Sequence, residues 1–277
     1  MANAARYRDN DQAVSETGCD LPGERDVGVD VFSFDFLLKF RGRRLGETLW
    51  LGRQGFHMPR NTGSEDSDQH RRGQAMRVLA QYDPHQEFDS LGGQTGYAEA
   101  LFSYLGSTSI AVMDNSPFEG ADLIHDLNTP VDPSLHSQFD CIFDGGTLEH
   151  VFNIPVAMDN IKSMLRVGGL FISINGANNF FGHGFYQFSP ELMWRVFSRK
   201  SGFEVETMGV MDTANEPALI LCRDPASTGE RDHIPNSAQA VYLMMAARKT
   251  REVTEAVVPQ QSDYQAAWAH AAKVMDC

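Results

Sequence analysis

Three short, mostly apolar stretches in the middle of the chain are each followed by an aspartate: Ser109 to Met113 before Asp114, Ala121 to His125 before Asp126, and Phe139 to Phe143 before Asp144. Apolar runs this short read as buried strands, and the segments around them carry helical periods. Tyr97 to Leu105 places Ala98, Leu101, Phe102 and Leu105 on one helical face, and Gly106 follows as a left-handed cap. Pro155 to Val167 buries Ala157, Ile161, Met164 and Leu165, with proline in the first turn and Gly168-Gly169 as the stop. Leu170 to Ile174 is a strand without charge, as a sheet covered on both faces requires. Ser189-Pro190-Glu191 opens a further helix that ends near Gly202. Phe203 to Val210 and Ala240 to Ala247 read as the last two strands, with a polar loop, Asp224 to Ser237, between them. Strands alternating with helices predict an α/β fold: a doubly wound, mostly parallel seven-strand sheet.

The boundaries follow from the same reading. Residues 1–30 are polar and predict a flexible tail. Residues 31–85 predict an N-terminal cap, with an apolar run from Val31 to Phe40, a short strand from Thr48 to Leu51 leading into Gly52-Arg53-Gln54-Gly55, and a helix from Ala75 to Tyr82. Residues 86–250 form the expected main domain, opening with a strand at Phe88 to Leu91 and a glycine turn, and residues 251–277 a C-terminal extension.

Composition removes several classes of function. The formal net charge is -14 and no dense Lys/Arg block offsets it, so nucleic acid is not an expected partner. No run of about 18 apolar residues exists, so no membrane span is expected. The polar N-terminus lacks the apolar core of a signal peptide, which points to the cytoplasm. Cys19, Cys141, Cys222 and Cys277 are scattered, and His57, His70 and His85 show no ligand spacing, so no metal is expected. The apolar N-terminal segment would suit a homodimer.

In doubly wound sheets, ligands bind at the carboxyl ends of the strands. The turn Gly92-Gly93-Gln94-Thr95-Gly96 would let backbone N–H groups approach a ligand closely. Asp114, followed by Asn115, ends the second strand and could accept both hydroxyls of a ribose. Asp126-Leu127 could read an adenine through a carboxylate and the next backbone N–H. The glycines could equally serve helix-on-sheet packing alone.

At these residues the chain resembles the class I S-adenosylmethionine-dependent methyltransferases. Phe88 to Gly96 is similar to the family's acidic-x-Gly-x-Gly-x-Gly motif, with Ser90 in place of the acid and Gln94 in place of the middle glycine. Asp140 to Val151, with its Leu148-Glu149-His150-Val151 string, resembles the fourth-strand segment. Met164 to Leu170 resembles the junction into the fifth strand, and Gly202 to Val205 the entry to the sixth. The resemblance implies an S-adenosylmethionine site at Gly92 to Gly96, Asp114, Asn115, Asp126, Leu127 and the turn Asp144-Gly145-Gly146.

Methyl transfer from a sulfonium is an in-line displacement, so the protein's work is mainly positioning. His150 and His183 are the candidates for a base acting on the acceptor. Phe181 and Tyr186 could line an acceptor pocket, and Arg53 and Gln54 could close over the ligands from the cap. The expected activity is methyl transfer to an oxygen or nitrogen of a small molecule. A nicotinamide-dependent oxidoreductase and a non-catalytic module of the same fold are the alternatives.

Overall fold

The computed structural model describes residues 28–58, 66–92, 96–214, 216–233, 236–255 and 257–275. The expected tail and the turn residues Gly93, Gln94 and Thr95 lie outside them, except for residues 28–30. The chain opens with strand β1 (Gly28–Val29), helix α1 (Val31–Leu38), β2 (Gly46–Leu51), β3 (Gly55–Phe56) and α2 (Asp66–Tyr82). Helix α3 (Glu99–Leu105), β4 (Ser107–Asp114), β5 (Leu123–Ile124), β6 (Phe139–Asp144), α4 (Ile154–Met164) and β7 (Leu165–Asn178) follow. The chain continues through α5 (Pro190–Val196), β8 (Phe203–Asp212), β9 (Ile220–Leu221), α6 (Pro225–Thr228), β10 (Val241–Lys249) and α7 (Ser262–Met275).

The main sheet runs β5-β4-β2-β6-β7-β10-β8-β9. Its first five strands are parallel, β10 is antiparallel to both neighbours, and β9 is antiparallel to β8. This is the expected doubly wound, mostly parallel sheet, with eight strands instead of seven. The additional one is β9, a two-residue edge strand after β8. The chain moves outward from β2 through β4 to β5, then returns to β6 on the other side of β2. The switch point therefore lies between β2 and β6, where such sheets bind ligands.

The first central strand is not where the sequence pattern places it. Phe88–Gly92 is a 3-10 turn, and the strand between β4 and β6 is β2. The reason is visible in burial. Leu49, Trp50 and Leu51 are all fully buried, and they alternate between the two faces of the sheet. Trp50 joins Phe102 and Phe143 on one face, while Leu49 and Leu51 join Ile142 and Ile161 on the other. Phe88 and Leu91, three apart, both point into the first of these cores, as a 3-10 turn allows.

Hydrophobic packing crosses residue 85. Phe34, Leu37 and Leu79 share one core with Trp50, Phe102 and Ile172. β2, from the segment expected as a cap, is the strand between β4 and β6. Other expectations hold closely. Gly106 caps α3 in the left-handed region, and Ser189 caps α5 by accepting from Leu192 N. Helix α4 stops at Met164, earlier than Val167, because Leu165 already pairs with Phe139. Gly168-Gly169 lies in the irregularity of β7 between that pair and Cys141↔Leu170. Among the described residues no helix is long and apolar enough to cross a membrane.

Trp50→Ala should lower the unfolding free energy by about 4 kcal/mol, as removal of a buried indole does. Ser90→Ala, on the exposed surface of the 3-10 turn, should change it by less than about 0.5 kcal/mol. Urea unfolding of both variants checks the placement of the central strand; a small effect at Trp50 would contradict it.

Candidate functional site

The carboxyl ends of β2, β4, β6 and β7 lie along one edge of the sheet, because these strands are parallel and in register: Leu51 pairs with Met113 and Asp144, and Asp144 with Ser173. The turn leaving β2 is Gly52-Arg53-Gln54-Gly55. After Gly55 the chain leaves on an excursion, and at Gly96 it is back beside its starting point. Gly55 bridges Tyr97, Phe56 N donates to Gly96 O (2.8 Å), and Ala98 N donates to Gln54 O (3.0 Å). The strand-to-helix turn of a doubly wound fold is therefore split here. Its first half is Gly52 to Gly55, and its second half is Gly96 to the start of α3.

This geometry redistributes the expected residues. Gly52 has φ +68, and a Cβ there would come within 2.7 Å of Thr147 Oγ1, so only glycine fits. Arg53 does not close over the cleft from a cap. It holds the turn together, with Nη2 on Glu99 Oε1 (2.6 Å), Nη1 on Glu119 O (3.0 Å), and its guanidinium 4.2 Å from the Tyr97 ring centroid. Gln54 is wholly buried, with Nε2 donating to Leu51 O (2.9 Å) and Gly52 O (3.2 Å). Gly92 belongs to the excursion, where a Cβ would strike the Phe56 ring at 2.9 Å.

Asp144 is also a structural residue. It is completely buried, and all of its acceptor capacity faces protein donors. Oδ1 accepts from Thr147 N (3.0 Å) and Leu148 N (3.1 Å), and Oδ2 from Ser173 Oγ (3.0 Å) and Asn175 Nδ2 (2.6 Å). Burial pushes its pKa up, against the pull of these four bonds. It shapes the β6 turn from beneath. At Gly145 a Cβ would meet Gln54 Oε1 at 2.3 Å, so β6 and β2 approach closely there.

Asp114 stands at the end of β4 as expected, half-buried, with one oxygen accepting from Ser116 N (3.0 Å). Asn115 beside it is exposed. Asp126 is exposed, and Asn128 N (2.9 Å) and Asn128 Nδ2 (2.7 Å) hold its carboxyl below the usual range. The Leu127 side chain is buried in the core.

The other end of the edge carries a cluster that spacing does not reveal. Glu149 and His150 follow β6 in a short 3-10 turn, and His183 comes from the loop after β7. His183 Nε2 lies 3.0 Å from Glu149 Oε1, and His150 Nε2 lies 4.0 Å from the same oxygen. The other carboxylate oxygen accepts from Gly176 N (3.0 Å). The loop is locked down by backbone: Phe185 N (2.7 Å) and Tyr186 N (3.2 Å) donate to Glu149 O, and Gly184 at φ +70 leaves no room for a Cβ against that carbonyl (2.8 Å). Burial raises the Glu149 carboxyl, and burial with the neighbouring His183 lowers His150. Glu149 is the hub of this group.

Aromatic residues frame it. Phe152 and Phe185 meet edge to face at 5.8 Å and are both largely exposed, and Tyr186 donates to Phe152 O (2.7 Å) while stacking on Phe188. Phe181 is fully exposed. A groove of about 450 Å3 beside α5, lined by Trp194, Arg195 and Val258, lies away from these strand ends.

No family model matches the chain, and no curated relative does. Solved structures similar to it include the Burkholderia thailandensis 1,6-didemethyltoxoflavin-N1-methyltransferase, with 14% identity, 80% of this chain and 78% of that chain covered, and a TM-score of 0.41. A TehB-like SAM-dependent methyltransferase from Corynebacterium glutamicum shows 17% identity over 80% of this chain and 90% of that one, with a TM-score of 0.41. The N-methyltransferase NodS from Bradyrhizobium japonicum shows 12% identity over 79% and 88%, with a TM-score of 0.40. At such identities and scores the functional reading rests on the geometry of the strand ends.

Asp144→Ala should cost roughly 3 kcal/mol of stability, because it strands three buried donors and the half-buried Thr147 N. Asp126→Ala should stay within about 0.5 kcal/mol. Denaturant titration at neutral pH separates the two; equal effects would mean that Asp144 does not brace the turn.

Proposed function

We propose that the chain is an S-adenosylmethionine-dependent methyltransferase acting on an oxygen or nitrogen of a small molecule. The observation that carries this reading is the convergence, on one sheet edge, of a split glycine turn after β2, Asp114 at the end of β4, and the Glu149, His150 and His183 cluster beyond β6 and β7. In this reading the cofactor lies across the ends of β2 and β4, beside the switch point. Backbone groups of Gly52 to Gly55 and the start of α3 hold its amino-acid end, and Asp114 accepts from the ribose hydroxyls. Asp126, ionised and exposed, faces the adenine end.

The acceptor sits at the other end, against the Glu149, His150 and His183 cluster. The exposed rings of Phe152, Phe181 and Phe185 supply an apolar rim for it. The bound cofactor supplies an electrophilic methyl group. The protein orients the nucleophile in line with it and excludes water, which accounts for most of the acceleration such transfers need. The net charge of -14 disfavours polyanionic acceptors and supports a small one.

Calorimetric titration of the full chain with S-adenosylmethionine, and separately with reduced nicotinamide dinucleotide, tests this. Micromolar binding of the sulfonium compound alone is expected. Asp114→Ala should weaken it by about 10- to 100-fold, the loss expected for charge-assisted hydrogen bonds. Ser90→Asp, which would restore a motif acid at a position away from the cleft, should leave it unchanged. Binding of the dinucleotide alone would overturn the reading in favour of an oxidoreductase.

A further inference from the structure

The fold brings His183 beside two metal-ligating groups that are neighbours in the chain, Glu149 and His150. Glu149, His150 and His183 each offer one donor atom, and these three atoms all lie within 4.8 Å of one another. The sequence offers no ligand spacing because Glu149 and His183 are 34 positions apart and meet only through the β6 and β7 loops. Two features go beyond what a simple hydrogen-bonded pair needs. First, both imidazoles turn Nε2 toward the same carboxylate oxygen, with ring centroids only 4.9 Å apart. Second, the frame is rigid: Glu149 Oε2 is fixed by Gly176 N, and the loop bearing His183 is tied by two backbone bonds to Glu149 O. The carboxylate is buried at 5% exposure, whereas the imidazoles are 43% and 40% exposed, so the group opens on one side only.

We propose that Glu149, His150 and His183 bind one divalent transition-metal cation of the zinc type, and that its open positions take the acceptor oxygen; this role in transfer rests on the methyltransferase reading above. Two imidazoles and one carboxylate suit zinc and its first-row neighbours, and three protein ligands leave room for an exogenous oxygen. Magnesium, which prefers oxygen donors, fits less well. The substrate class narrows to a hydroxylated acceptor. Its hydroxyl binds the cation, becomes more acidic and gives its proton to solvent. The oxygen then attacks the sulfonium methyl carbon; the new O–C bond forms as the C–S bond breaks, and the sulfur leaves with the bonding pair as a neutral thioether. No oxidant or reductant is involved.

The test is direct metal binding. The full chain, stripped with a chelator, is titrated with Zn2+ by calorimetry and with Co2+ by visible absorption. One equivalent of zinc per chain and ligand-field bands of bound cobalt are expected. His183→Asn, at a half-exposed position that should tolerate the change, and Glu149→Gln, which preserves the shape around Gly176, should each weaken zinc binding at least about tenfold, the lower range seen even for outer-shell changes. S-adenosylmethionine is titrated in parallel and should bind the variants as it binds the parent. Substoichiometric zinc, or variants that bind it as tightly as the parent, would overturn the cation site while the cofactor titration still decides the transferase reading. Zinc uptake by a chain that does not bind the cofactor would establish the site and overturn its role in methyl transfer.

Discussion

The pairing of β2 between β4 and β6 sets the position of everything at the sheet edge. Because Leu51 is matched to Met113 on one side and Asp144 on the other, the turn after β2, Asp114 and the turn after β6 open at one level. Thr147 Oγ1, donating to Leu51 O at 2.6 Å, ties the β6 turn to the end of β2. Gln54, folded back on Leu51 and Gly52, fills the space beneath. The strand is held by packing more than by its own propensity. Trp50 meets Phe102 at 5.0 Å, and Phe102 meets Phe143 at 4.9 Å, so β2, α3 and β6 lock through three aromatic rings.

The excursion from Gly55 to Gly96 shows how an insertion can enter a turn without dissolving it. Its two ends pair with each other through the Gly55 to Tyr97 bridge, so the strand end and the helix start remain adjacent. Its body packs Phe56 and Phe88 against Phe34 of α1, extending the core on that face. A segment inserted this way costs little closure entropy, since its ends are already together.

Most of the fold was legible because its signals are local. The periodicity of α3, the glycine cap at Gly106, the proline start of α5 and the strands ending at Asp114 and Asp144 depend only on neighbouring residues. The first central strand was not, because recognising it needs a long-range fact. A doubly wound turn followed directly by its helix would leave Asp114 about one helix and one strand beyond the glycines, and Gly96 satisfies that spacing while Gly55 does not. The pattern therefore favoured Phe88 to Gly96, and the true strand at Thr48 to Leu51 read as part of a cap. The site divides in the same way. His150, His183 and Asp114 stand out as residue types at strand ends. Their meeting at Glu149, the burial of Asp144 and the withdrawal of Gln54 into the core arise from contacts between loops, which no local pattern records.

The proposed site places the cofactor across the β2 and β4 ends. A crystal structure with S-adenosylhomocysteine tests it most directly. Density with the ribose on Asp114 and the amino-acid end against Gly52 to Gly55 is expected. A ligand seated instead against the 3-10 turn at Phe88–Gly92, with the strand ends empty, would contradict it.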